Sequence, residues 1–173
     1  MRNHATRGCF KADIARRGLG ITIALALVLL ATGDTALAET TVNQVKSVDT
    51  AFLDQMMAGK TFRGFVVFMA AWCPPCKEEM PVLADLYRRY HSKGVQIVAV
   101  SLDMEGPGDV QSLVNRLKIP FPVYWVGKAA VMKYRVVGIP MLMVIDNGKL
   151  IEKLPGAIPP RQLEKKLKSL LEG

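Results

Sequence analysis

Phe65-Val66-Val67-Phe68-Met69-Ala70-Ala71-Trp72-Cys73-Pro74-Pro75-Cys76-Lys77-Glu78-Glu79-Met80-Pro81 is the stretch on which the fold turns. Its first five residues form an unbroken apolar run, the pattern of a strand buried on both faces. That run passes through Ala70-Ala71-Trp72 into two cysteines separated by two prolines. Beyond Cys76 the spacing becomes helical: Val82, Leu83, Leu86, Tyr87 and Tyr90 share one face, with Glu78, Asp85, Arg88 and Arg89 outside it. Pro75 suits a first helical turn, whereas Pro81 lies inside the pattern and is expected to kink it. A strand feeding a helix in this way puts Cys73 at a helix N-terminus. Unpaired N–H groups and the positive end of the helix dipole there stabilise a thiolate. Cys76, one turn on, faces inward within reach of Cys73, so the two can close a disulfide. The pair reads as exchange chemistry: Cys73 attacks a foreign disulfide and Cys76 resolves the mixed disulfide that results.

Other uses of two cysteines fit less well. A structural bridge closing so short a loop restricts the unfolded chain little. Zinc needs further ligands, and past the N-terminal segment only His91 offers another nitrogen. Haem attachment requires histidine directly after the second cysteine, where Lys77 stands. No metal or other cofactor is called for.

Outward from this centre, strand and helix alternate. A helix is expected over 48–57, ended by Gly59; a buried strand over 95–102; a helix over 109–118; a short strand over 121–125; and a helix over 128–134. A strand over 141–145, an Asn147-Gly148 turn and a partner strand over 150–154 read as a hairpin. A last helix starts at Pro160. This order implies an α/β fold, a central mixed sheet flanked by helices on both faces, with functional groups where strand ends meet helix starts. Gly138-Ile139-Pro140 precedes the hairpin. Its proline is either an edge feature or a cis residue that turns the Ile139 main chain toward an extended substrate; spacing alone leaves both open. Trp72 is expected to cover one side of the cysteine pair. Tyr124 and Trp125 read as core more than substrate rim, and the scattered methionines as core filler.

The ends of the chain carry a different signal. Residues 1–38 combine Arg2, Arg7, Lys11, Arg16 and Arg17 with an apolar stretch over 19–31 and a small-x-small Ala36-Leu37-Ala38 site. They read as an export signal cleaved before Glu39, or else as a tilted membrane tether through 19–31. Cys9 leaves with a cleaved signal. Residues 39–47 are expected as a loose tail and 48–173 as one domain. The chain has 173 residues, is 50% hydrophobic and carries a net charge of +8. Three of those charges belong to the first 38 residues. The remaining surplus is ordinary surface charge, with no basic run interleaved with aromatics of the kind nucleic-acid binding needs.

The stretch 68–81, together with Gly138-Ile139-Pro140 and Asp146-Asn147-Gly148, resembles the thioredoxin superfamily, more narrowly its exported TlpA/ResA/CcmG-like branch. The resemblance covers nearly all of 48–173. It implies a thioredoxin-like fold, a nucleophilic Cys73, a resolving Cys76, a Cys73–Cys76 disulfide, and a cis Pro140 with Ile139 and Trp72 at the substrate. Val67 stands where cytoplasmic thioredoxins bury an aspartate, and Glu79 stands where the exported branch has a glutamate. In isolation Glu79 would be a solvated helix residue; the resemblance makes it a candidate proton acceptor for Cys76. The 34 residues between Asp103 and Gly138 suggest the branch's extra helix and strand. A departure is 40–61, which reads as a helix rather than the hairpin common in that branch.

The resemblance further implies an exported enzyme of the periplasm or cell envelope, soluble or anchored facing outward, and monomeric. Its clients would be disulfide-containing proteins such as apocytochrome c, and its electrons would come from a membrane donor of DsbD/CcdA type. Strong oxidants hold their thiolate at a pKa of ~3.5 and reductants nearer ~7. Pro74 and Pro75 offer the sulfur neither N–H nor cation, and Glu78 and Glu79 add negative charge, which together predict a reductant. A non-catalytic apocytochrome- or copper-binding module and a disulfide oxidase are the alternatives.

Overall fold

A computed structural model describes residues 43–172. The expected export segment, its apolar stretch and Cys9 lie outside the described residues, among which no helix is long and apolar enough to cross a membrane. The elements run β1 (Lys46–Ser47), α1 (Thr50–Ala58), β2 (Gly64–Met69), α2 (Pro74–Tyr90), β3 (Gln96–Ser101), α3 (Gly108–Leu117), β4 (Val123–Trp125), α4 (Lys128–Tyr134), β5 (Met141–Asp146), β6 (Lys149–Pro155) and α5 (Pro160–Glu172). A short 3-10 turn, His91–Lys93, follows α2. The sheet order is β1-β4-β3-β2-β5-β6. The first four strands are mutually parallel, β5 runs antiparallel to β2, and β6 runs antiparallel to β5.

All six residues of β2 are buried, because β2 lies between β3 and β5 with a core on each face. Phe65, Val67 and Met69 enter one core with residues of α2, α3 and α5. Val66 and Phe68 enter the other with Leu53 of α1 and Tyr134 of α4. Each large apolar side chain so buried contributes about 1.5–3 kcal/mol, which explains why the apolar run is continuous rather than alternating. At the head of β2, Gly64 has φ +144° and a Cβ there would stand 1.8 Å from the Gln96 carbonyl oxygen; only glycine fits.

Observed elements track the expected ones within a few residues. The first helix begins later than expected because Asp49 caps it, accepting from the Phe52 N–H at 2.8 Å. Pro81 interrupts the hydrogen-bond ladder of α2 without ending the helix. Asn147 and Gly148 both take positive φ, as a two-residue hairpin turn requires.

One expectation is corrected. The loose tail assigned to 39–47 is not loose at its C-terminal end: Lys46 and Ser47 pair in parallel with Tyr124 and Trp125. Val45 is buried, its N–H donating to Gln111 Oε1 at 2.7 Å. Asn43 Nδ2 donates to the Ile119 carbonyl at 3.0 Å. Two polar residues carry no periodicity, so the strand owes its existence to the open edge of β4 and to Gln111, both distant in sequence.

Candidate active site

Cys73 is the N-cap of α2, in extended backbone geometry, and is disulfide-bonded to Cys76 with the Cα atoms 5.3 Å apart. Both are almost wholly buried, at 2% and 1% exposure. Local hydrogen bonds hold this loop. The Cys73 N–H donates to the Ala70 carbonyl at 3.1 Å, and the Lys77 N–H to the Cys73 carbonyl at 3.2 Å. Pro74 and Pro75 have no N–H, so within the first helical turn the Cys76 N–H is left to face Cys73 Sγ, at 3.3 Å. The sulfur thus sees one main-chain donor and the helix dipole.

Ile139–Pro140 is a cis peptide, and the Ile139 carbonyl oxygen lies 3.8 Å from Cys73 Sγ. While the disulfide is closed no proton lies between them; a Cys73 thiol would be able to donate there. Residues 66 positions apart are therefore neighbours. Trp72 immediately precedes Cys73 in the chain. It is 64% exposed, the most open large aromatic side chain of the described residues. Trp125 is half-buried against the core, as expected, with its Nε1–H donating to the Asp103 carbonyl at 2.7 Å. Tyr124 packs edge-on against Phe52 at 5.1 Å.

Glu79 occupies the helix position three after Cys76, so the two side chains share a face. It is 5% exposed rather than solvated. Its Oε1 accepts from the Ile158 N–H at 2.9 Å, and its Oε2 is buried with no hydrogen-bond partner. Burial pushes its pKa above the ordinary carboxylate value, and the Ile158 N–H opposes that shift only in part. One carboxylate oxygen is thus left without a donor, on the helix face that Glu79 shares with Cys76.

Asp103 is a residue of this neighbourhood that the sequence reading assigned no role. It is 3% exposed. Both carboxylate oxygens accept from the Ala71 N–H at 3.0 Å, and Oδ2 also accepts from the Ser101 hydroxyl at 2.7 Å. The Asp103 N–H returns a bond to Ser101 Oγ at 3.2 Å. This cluster pins the loop two residues before Cys73. The available signal was the polar Ser101-x-Asp103 pair ending an otherwise apolar strand.

The profile of the AhpC/TSA family matches residues 39–153. A thiol-disulfide oxidoreductase ResA from Bacillus thuringiensis subsp. konkukian is 36% identical over 116 residues, 64% of this chain and 66% of the relative's length. One from Geobacillus thermodenitrificans is 31% identical over 163 residues, 86% of this chain and 93% of the relative. Among solved structures, a Chlorobium tepidum protein described as a thiol:disulfide interchange protein DsbE superposes with a TM-score of 0.61 at 30% identity, covering 68% of this chain and 84% of its own. StoA from Bacillus subtilis superposes at 0.55 with 27% identity, covering 62% and 84%.

Proposed function

Because the chain belongs to the thioredoxin-like AhpC/TSA family, alongside relatives that are thiol-disulfide oxidoreductases, we propose that it is an exported thiol-disulfide oxidoreductase working as a reductant. The observation that carries this reading is the Cys73–Cys76 disulfide at the N-cap of α2, with the Cys76 N–H aimed at Cys73 Sγ.

In the reduced protein, the Cys73 thiolate attacks one sulfur of a client disulfide, and the client's other sulfur departs as a thiolate. Cys76 then gives its proton to Glu79 and attacks Cys73 Sγ, so the client's second sulfur leaves. The two electrons of the dithiol now reside on the client, and the protein holds the Cys73–Cys76 disulfide. Since only 2% of Cys73 is exposed, the client sulfur arrives on a chain laid against the surface above it. The Ile139 main chain and Pro140 support it on one side and Trp72 on the other.

The direction follows from what the sulfur lacks. Two prolines leave a single N–H for a Cys73 thiolate, and no cation lies between the cysteines. Its pKa is therefore only moderately depressed and its disulfide weakly oxidising. Clients are disulfide-containing envelope proteins, apocytochrome c among them, and electrons return from a membrane thiol carrier of DsbD/CcdA type.

Thiol trapping tests the reading. Cys76→Ser should accumulate mixed disulfides through Cys73, and Cys73→Ser should abolish transfer. Undiminished transfer by Cys73→Ser would overturn the oxidoreductase reading. A potential above about −150 mV, toward the strong-oxidant value of about −120 mV, would overturn the reductant direction alone.

A further inference from the structure

We propose that the groove between α2 and α3 beside Trp72 is a client subsite that selects an acidic side chain near the client's cysteine. This rests on the oxidoreductase reading and names the substrate class of that same site. The groove has a volume of about 250 Å³ and is lined by Ala71, Trp72, Lys77, Asp109, Leu113 and Arg116. Its position is set by Trp72, which immediately precedes Cys73 and is 64% exposed. An exposed aromatic beside an arginine is the composition of a binding hot spot rather than of idle surface.

The charges say what it receives. Among the described residues, Arg63, Arg89, Lys133, Lys166 and Lys168 each pair with a carboxylate on the protein itself. Lys77 and Arg116 have no such partner within 4.0 Å, although Asp109 lines the same groove. Two cations against one anion leave the groove net positive. A guanidinium fork matches a carboxylate in bidentate fashion, and Asp109 repels a second acid, which confines the preference to one position.

The groove adjoins Trp72, the chain neighbour of Cys73, so it occupies one place beside the sulfur, and a client laid across in one direction meets it on one side of its own cysteine. At about 3.3 Å per residue, three residues of extended client span about 10 Å, which sets the spacing of the test peptides. The acidic residue therefore belongs on one side of that cysteine and not on the other.

Symmetric peptide disulfides test this, each with Glu, Gln or Lys placed three residues before or after its cysteine, reduced by the dithiol form of the protein at low and high salt. The Glu peptide of one orientation should react about fivefold faster than its Gln counterpart and the Lys peptide slowest, with the differences shrinking in high salt. Arg116→Gln should erase the order and Arg116→Glu invert it. Equal rates across the panel, or an order that survives Arg116→Glu, would overturn the subsite. Dithiodipyridine, a small neutral disulfide, separates the two readings. A reduced wild-type protein that does not react with it defeats the oxidoreductase reading itself, whereas one that reacts but does not rank the peptides defeats only the subsite.

Discussion

The end of β3 around Asp103 and the second turn of α2 around Glu79 each bury a carboxylate close to the cysteines, and they treat it in opposite ways. Asp103 accepts from the Ala71 N–H and the Ser101 hydroxyl, with both oxygens engaged. Glu79 accepts from the Ile158 N–H alone, and its Oε2 has no partner. A buried acceptor with all its donors is a structural tie, because moving it exposes unpaired polar groups. One left half-satisfied holds its proton to higher pH, because the charge it would carry on ionising is poorly compensated. The first region builds the loop that carries Cys73; the second keeps a carboxyl with one unpartnered oxygen on the helix face of Cys76, which in the proposed mechanism gives it proton-accepting capacity. Near-equal burial thus goes with different work, and hydrogen-bond saturation marks the difference.

The largest expected effect comes from removing that capacity. Glu79→Gln should slow resolution of the mixed disulfide by about 10²–10⁴-fold, the usual scale of general-base catalysis. Formation of the Cys73 mixed disulfide should change little. Single-turnover kinetics with a trapped client separates the two steps, and equal slowing of both would erase the distinction between the regions.

Next in size is Asp103→Ala. It strands the Ala71 N–H and the Ser101 hydroxyl in a buried site, at a cost of about 2–4 kcal/mol, and slackens the loop before Cys73. Denaturant unfolding should show the loss in stability, and client attack and resolution should slow together. An unchanged midpoint would mean that the carboxylate ties nothing.

A smaller effect is visible in pH dependence. Glu79 has its folded pKa raised above the ordinary 4.5. Below that value both folded and unfolded states are protonated. As pH rises past 4.5 the unfolded chain ionises first, so native stability falls until the folded carboxyl also ionises. Glu79→Gln should lack that decline, as melting temperatures across the acid range would show; parallel curves for the two proteins would contradict it.

The smallest effect belongs to a carboxylate with many partners and little burial. Glu164 on α5 accepts from Tyr90 Oη at 2.7 Å, Arg89 at 2.9 Å and Lys168 at 3.2 Å. Those bonds bring its pKa down to about 2. Its contribution is present above the unfolded value and lost as pH falls toward 2. Glu164→Gln should lower the melting temperature only slightly at neutral pH, with the gap closing in acid. A loss as large as that of Asp103→Ala would show that partner number alone, without burial, sets the strength of a tie.

Much of this molecule was legible in its residues. The continuous run before Cys73, the helical spacing after Cys76 and the Asn147-Gly148 turn declare themselves through neighbours a few positions away. What sequence reading alone misjudged or omitted shares a cause. Glu79 in isolation reads as a solvated helix residue, Asp103 received no role, and 43–47 read as tail. Each is decided by a partner far along the chain: Ile158, Ala71 and β4 respectively.

From its sequence alone, the chain determined that a strand meets a helix at two cysteines, because backbone sterics, periodicity and one turn of helix act over a few residues. Only the tertiary structure decided how buried Glu79 is, which donors saturate Asp103, and that the Ile139 carbonyl lies 3.8 Å from Cys73 Sγ. Desolvation and hydrogen bonding depend on what packs alongside, and here the deciding main-chain donors, Ala71 to Asp103 and Ile158 to Glu79, are 32 and 79 positions away.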